Sequence, residues 1–188
     1  MYRAVTLYCI EHQVDLHDPH QVNQALKDIT LYIPPADEKT FAIHLNDRDV
    51  TDLIRSMEVS SQVSEVAAIS AVRKYLVAQQ QLAGDSGGIV MDGRDIGTVV
   101  FPHAQLKIYV DSDISVRAQR RYHELKAKGS EVTLDAVRDN LQHRDHIDSS
   151  RADSPLTKAE DAHTIDNTHL TRDQQLALAL QLAREKGA

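Results

Sequence analysis

A short apolar run that ends in a cluster of charges constrains this chain more than any other feature. From Val90 to Pro102 the sequence reads Val-Met-Asp-Gly-Arg-Asp-Ile-Gly-Thr-Val-Val-Phe-Pro, with two carboxylates, an arginine and two glycines. We expect a strand over residues 89–92 with these charges at its carboxyl end. Ligands lie at that edge of open α/β sheets, and glycines there let the backbone approach an anion closely. A polar loop that merely contains a salt bridge is the alternative interpretation.

A helix predicted over residues 133–151 changes along one face from apolar to charged. Spacings of three and four place six residues on that face, three apolar and then three ionic: Leu134, Val137, Leu141, Arg144, Asp148 and Arg151. Burying ions is costly unless each finds a partner, so we expect an internal salt-bridge network or an anionic ligand. Two arginines beside one aspartate leave surplus positive charge, which favours a ligand with phosphate and hydroxyl groups. A solvated face on a helix that leaves the core is the alternative.

Length and charge narrow the class of protein. The chain has 188 residues, which fits one ordinary globular domain with an insert. Its formal charge of −7 argues against a nucleic-acid surface, because such surfaces usually carry a basic excess. Cys9 is alone, no Cys/His spacing is typical of a zinc site, and the apolar run at residues 176–183 is too short to cross a membrane. We therefore expect a cytoplasmic protein with no metal ligands of its own.

Helices and strands are predicted to alternate along most of the chain, which indicates an α/β fold with a parallel sheet. Helices are expected over residues 1–13, 19–29, 50–55, 58–66, 70–82, 112–128, 133–151 and 171–186. Strands are expected over residues 30–34, 40–46, 89–92, 106–110 and 163–166, and the first two should form a small antiparallel element. We predict a core of residues 1–29 and 67–188, with residues 30–66 as an inserted α+β lobe.

Basic residues are concentrated on the helix that starts near residue 112. Arg117, Arg120 and Arg121 lie on it, and a Lys-Ala-Lys-Gly segment leads into the following helix. A mobile basic lid of about residues 117–143 could close over phosphates and exclude water. A solvated helix face is the alternative for such a run of charge.

Two motifs together carry a family resemblance. Asp92-Gly93-Arg94-Asp95 and the Arg-x3-Asp-x2-Arg pattern of Arg144, Asp148 and Arg151 are highly specific in combination. Shorter segments elsewhere, including Tyr2-Arg3 and Val72-Arg73, extend the match over essentially the whole chain. The chain resembles the bacterial cytidylate kinases, nucleoside monophosphate kinases that phosphorylate CMP and dCMP with ATP.

The resemblance implies a role for particular residues. The CMP phosphate would be gripped by Arg3, Arg94 and Arg151, and the cytosine edge would be read by Ser64, Arg73 and Asp95. Asp148, helped by Arg144, would contact the sugar hydroxyl. Arg94, Arg144 and Arg151 would act in catalysis, and the lid arginines Arg117, Arg120 and Arg121 would contact the ATP phosphates.

The chemistry of phosphoryl transfer agrees with this inventory. Moving a phosphoryl group between two anions needs positioning and charge neutralisation, for which arginine is suited. A buried Asp95 can accept from the exocyclic amine of cytosine, whereas uracil would present a carbonyl there. The resemblance also implies ATP with Mg²⁺, small-molecule nucleotide partners and a monomer. A related kinase for UMP or a shikimate-type substrate is the alternative within this class.

One departure from the family pattern concerns the phosphate donor. The family begins with a strand and a G-x-x-x-x-G-K-[ST] loop that cradles the ATP phosphates, and neither occurs in these 188 residues. By resemblance we expect a P-loop-kinase-like parallel sheet without its N-terminal strand, loop and helix. Two interpretations stay open: a CMP kinase known here in part, with a start codon assigned too late, or a truncated and inactive fragment that at most binds the monophosphate.

Overall fold

The computed structural model describes residues 1–34 and 42–187. These residues form an α/β protein of helices, a small antiparallel sheet and a small parallel sheet. The chain divides into two compact units, Met1–Ile89 and Val90–Ala188.

The first unit is mainly helical. Its elements are α1 (Tyr2–Glu11), α2 (Pro19–Asp28), β1 (Leu31–Tyr32), β2 (His44–Leu45), β3 (Arg48–Asp49), a 3₁₀ helix (Leu53–Arg55), α3 (Met57–Ala68) and α4 (Ser70–Gly84). The strands pair antiparallel in the order β1-β2-β3. The small antiparallel element is thus confirmed, although β3 was not predicted. Residues 35–41, which include the predicted start of the second strand, lie outside the described residues.

Local signals explain where these helices begin. Pro19 occupies the first turn of α2, and the Asp18 carboxylate accepts from the backbone N–H groups of His20 and Gln21. Ser56 caps α3 by accepting from the Val59 N–H, whereas α1 starts without a side-chain cap, as predicted. Apolar side chains of α1, α3 and α4 then form a shared core that includes Val5, Val59, Val66, Val72 and Leu76.

The second unit contains a parallel sheet with flanking helices. Its elements are a π-helix (Ile96–Val100), β4 (Ile108–Asp111), α5 (Ile114–Ala127), α6 (Leu134–Ser150), β5 (His163–Asp166) and α7 (Arg172–Glu185). β4 and β5 pair in parallel, with Ile108 opposite His163. Asp113, Thr133 and Thr171 each cap the helix that follows. The predicted strands at 106–110 and 163–166 and the three helices are therefore confirmed.

The strand predicted over residues 89–92 is wrong. These residues have no regular structure, Val90 is fully exposed, and no strand among the described residues pairs with them. A strand is stabilised by hydrogen bonds to a neighbouring strand, and without one its backbone N–H and C=O groups form hydrogen bonds with water instead. The π-helix that follows was not predicted, because its Thr-Val-Val sequence is typical of a strand.

The apolar part of the α6 face is only partly confirmed. Val137 is buried, but Leu134 is exposed because it lies in the first turn, next to the capping Thr133. Further along this face, Leu141 and Arg144 are half-buried, and Asp148 and Arg151 are buried.

The division into a core and an inserted lobe stays a prediction. Residues 30–66 fall wholly within the first unit. Over the described part of the chain, no helix is long and apolar enough to cross a membrane.

Candidate functional site

The end of α6 brings predicted site residues together in the second unit. Arg144 and Asp148 project from its last two turns, and Arg151 is the residue at which the helix ends. They meet two residues of the Asp-Gly-Arg-Asp segment. We call this group the acid–arginine cluster, and its members are Arg94, Asp95, Arg144, Asp148 and Arg151.

Ion pairs hold the acid–arginine cluster together. Arg94 Nε donates to Asp148 Oδ2 at 2.9 Å, and Arg151 Nη1 donates to Asp148 Oδ1 at 3.5 Å. Arg151 Nη2 also lies 4.0 Å from Asp95 Oδ1. Asp148 is 3% exposed and Asp95 is 4% exposed, so both carboxylates depend on these arginines for charge compensation. Of the two alternatives for the α6 face, the internal salt-bridge network is present, and the anionic ligand stays a prediction.

Backbone contacts fix the acidic residues in place. The Asp95 carbonyl accepts from the N–H groups of Thr98, Val99 and Val100 at the start of the π-helix. A Cβ on Gly93 would lie 2.8 Å from the Ile96 side chain, so a larger residue there would force that side chain to move. The Asp148 carbonyl accepts from Leu156 N–H at 2.7 Å, and Arg151 Nε donates to the Ser154 carbonyl at 2.8 Å. The charged groups are consequently held before any ligand arrives.

Arg144 adds positive charge to the cluster. Burial lowers the pKa of its guanidinium, and the neighbouring charge of Arg94 lowers it further, while Asp148 and Asp145 act in the opposite direction. Its Nε atom is buried and has no hydrogen-bond partner among residues 1–34 and 42–187. A buried donor of this kind fits an anionic or hydroxyl-bearing ligand.

The three predicted lid arginines have different environments. Arg117 pairs with Asp145 of α6 at 2.7 Å, which ties α5 to α6. Arg120 donates to the carbonyls of Asn167, Thr168 and Leu170. Arg121 pairs with Glu124 at 2.8 Å on α5 itself, and this contact lowers the Glu124 pKa. Their proposed contact with ATP phosphates stays a prediction.

In the first unit, a second group of predicted residues lies where α1 packs on α3. Arg3 Nη1 donates to the Ile54 carbonyl and to Ser60 Oγ, both at 2.9 Å. Ser64, one turn further along α3, is 2% exposed, and its hydroxyl has no partner among the described residues. An unpaired buried hydroxyl fits a polar ligand.

Among the described residues of the first unit, Arg73 is the most deeply buried arginine. It is 2% exposed and lies near the start of α4. Its Nη1 donates to the Ala67 carbonyl at 3.3 Å, and its guanidinium carbon is 5.7 Å from the centre of the Tyr2 ring. A guanidinium so enclosed is kept in one orientation.

Sequence reasoning did not identify Ser60 as a contact of Arg3. This residue is 2% exposed and contacts Arg3 directly. A signal was present, because Ser56, Ser60 and Ser64 recur every four residues and therefore share one face of α3. Which element packs on that face could not be derived from the spacing alone.

The two groups of residues indicate a protein that binds phosphorylated ligands. Fixed arginines, which buried carboxylates balance in the second unit, are suited to binding phosphorylated ligands and to neutralising charge during phosphoryl transfer. No group of three or more His, Cys, Asp or Glu within the described ranges is placed to hold a metal ion.

Comparison with known proteins defines the family. The cytidylate kinase family model matches residues 1–185. A cytidylate kinase of Bacteroides fragilis is 49% identical over 180 residues, which cover 93% of this chain and 78% of that protein. The cytidylate kinases of Flavobacterium psychrophilum and Porphyromonas gingivalis are 48% and 46% identical, and each alignment covers 82% of the relative. The chain therefore belongs to the cytidylate kinase family and is a nucleotide kinase.

Proposed function

We propose that this kinase transfers a phosphoryl group from ATP to CMP or dCMP, giving CDP or dCDP. The observation that carries the proposal is the acid–arginine cluster, in which both carboxylates are buried and arginines supply the charge. Its relatives are cytidylate kinases by name, which supports the same substrate class. ATP with Mg²⁺ is the proposed donor, and the metal would neutralise charge on its phosphate oxygens.

The proposed roles follow from charge and hydrogen bonding. Arg94 and Arg151 offer planar N–H groups that match phosphate oxygens, and we propose that Arg3 does the same from the first unit. Asp148 would accept from a sugar hydroxyl beside Arg144. Asp95 would accept from the cytosine amine, with Ser64 and Arg73 contacting the same base. Arg117, Arg120 and Arg121 are proposed to face the ATP phosphates.

The arginines proposed to bind the phosphate would also stabilise the charge that moves during phosphoryl transfer. Negative charge moves from the donor to the acceptor during transfer, and fixed guanidinium groups stabilise that charge without reorganising. Because ion pairs already hold Arg94 and Arg151 in place, little ordering is needed when the monophosphate binds.

Turnover of CMP, dCMP and UMP with ATP and Mg²⁺ tests the proposal, with ADP release as the readout. We expect CMP and dCMP to be phosphorylated at least about 100-fold more efficiently than UMP, because uracil would leave the Asp95 carboxylate without a donor. Asp95→Asn should reduce that preference. The control is Asp92→Asn, since Asp92 is exposed in the same segment.

Two results would count against the proposal. Equal efficiency for UMP would remove the proposed reading of the base by Asp95. A chain that binds CMP in calorimetry without phosphorylating it would limit the function to monophosphate binding, and a chain that does neither would contradict the proposal.

A further inference from the structure

Ser60 connects the start of α3 to Arg3. Its hydroxyl donates to the Ser56 carbonyl at 2.7 Å, and its oxygen accepts from Arg3 Nη1 at 2.9 Å. The residue is 2% exposed, so water does not compete strongly for either contact. The hydrogen bond to Ser56 fixes the hydroxyl proton and thereby turns a lone pair of the oxygen towards Arg3.

The contacts of Arg3 Nη1 fix the plane of the guanidinium. One acceptor is Ser60 Oγ and the other is the Ile54 carbonyl at the end of the 3₁₀ helix, each 2.9 Å away. A terminal guanidinium nitrogen carries two hydrogens, so these two acceptors use both. Because the group is planar, fixing one nitrogen in this way also sets the directions of its other N–H bonds.

We propose that Ser60 is a positioning residue for the monophosphate: its hydroxyl holds the Arg3 guanidinium in the orientation that binds the phosphate of CMP. This inference rests on the proposed function. A serine that only satisfies its own helix would bond to the carbonyl four residues earlier and to nothing else. The second bond of Ser60, to an arginine on another helix, is the feature that a purely local role does not explain.

Binding of CMP and of cytidine to the 188-residue chain separates positioning from general stability. Both ligands are titrated into the Ser60→Ala chain by calorimetry, with thermal unfolding as a check on folding. We expect CMP to bind about fivefold more weakly and cytidine to bind unchanged, since only the phosphate contact depends on Arg3. Ser61→Ala is the matched control, because Ser61 is exposed on the same helix and its hydroxyl donates to the Glu58 carbonyl within that helix.

The CMP affinity of a chain with both Ser60→Ala and Arg3→Ala distinguishes positioning of Arg3 from a merely structural role of Ser60. If Ser60 acts through Arg3, Ser60→Ala should have no further effect on CMP affinity in an Arg3→Ala chain. If Ser60→Ala prevents folding, Ser60→Cys carries the same test, because the thiol keeps the size of the side chain and is a weaker acceptor.

The outcomes distinguish the inference from the function on which it rests. Equal weakening of CMP and cytidine, unchanged CMP affinity in Ser60→Ala, or an additive effect in the double variant would overturn the role of Ser60. CMP affinity that falls in Arg3→Ala but not in Ser60→Ala would overturn only this inference. Wild-type chain that does not bind CMP at all would overturn both.

Discussion

Asp148 balances the charges of the acid–arginine cluster. It is 3% exposed and pairs with Arg94 and Arg151. Asp148→Asn would leave Arg151, which is 8% exposed, with less compensation in a buried setting. We expect the free energy of unfolding in urea to fall by about 3 kcal/mol, the lower end for a broken buried pair, because the Arg94 side chain is 45% exposed.

The control for this substitution is on the same helix. Asp139 is exposed, so Asp139→Asn should change the free energy of unfolding by less than about 0.5 kcal/mol. Similar losses for the two variants would show that the ion pairs of Asp148 contribute nothing particular to stability.

Arg151 combines a structural contact with a proposed ligand contact. Arg151→Lys keeps a positive charge near Asp95 and Asp148 but loses the planar fork. We expect CMP affinity in calorimetry to fall about tenfold while cytidine affinity is kept. Arg138→Lys is the matched control, since Arg138 is half-exposed on α6 and pairs there with Asp135. Unchanged CMP affinity in Arg151→Lys would contradict the proposed phosphate contact.

Sequence reasoning works at the residue scale where a residue must satisfy a physical requirement by itself. Charges on the inward face of α6 need an ionic partner or a ligand, and the pair of Arg151 and Asp148 is one of these two predicted solutions. The second partner of Asp148 is Arg94, for which the sequence predicts roles in phosphate binding and catalysis but not this ion pair. Which distant residue supplies a partner depends on packing, which the spacing of residues does not contain.

At the scale of elements, the cap at the start of α5 makes the stability of the protein depend on pH. The Asp113 carboxylate accepts from the backbone N–H groups of Ser115 and Val116, and these bonds hold its pKa below the ordinary value of 3.8. Because the folded pKa is lowered, this stabilisation is present above pH 3.8 and is lost as the pH falls through the folded pKa.

The prediction compares the wild type with Asp113→Ala, which removes the cap. Urea unfolding between pH 6 and pH 2.5 should show the wild type to be more stable near pH 6, with a difference that narrows as the pH falls below the ordinary carboxylate pKa. A difference that stays constant over this range would mean that the charged carboxylate does not stabilise α5.

Helices were predicted well because their signals are local. The bounds of α2, α6 and α7 follow from a proline or capping residue at the start and from apolar spacing along the helix. The segment over residues 89–92 failed because a strand exists only through its neighbours, and the sequence does not show whether a neighbour is paired. The π-helix after it failed for a related reason, since β-branched residues there are also compatible with a strand.

At the scale of the whole molecule, each unit presents a different part of the proposed chemistry. The second unit contributes a cluster of opposite charges, and the first contributes the half-buried Arg3, the buried Arg73 and a serine face on α3. The α/β class could be predicted from the alternation of helices and strands, and the family could be predicted because the two charged motifs are specific in combination. The contact between Ser60 and Arg3 could not, because it depends on the packing of α1 against α3.

The central claim is that the acid–arginine cluster binds the phosphorylated pyrimidine. The most direct measurement follows the arginine Nε resonances of the ¹⁵N-labelled chain by NMR while CMP is added. The account predicts that the resonances of Arg94, Arg144 and Arg151 shift with saturation, that Arg138 stays in place, and that cytidine causes smaller changes. Saturable CMP binding with no movement of the three cluster resonances would contradict it.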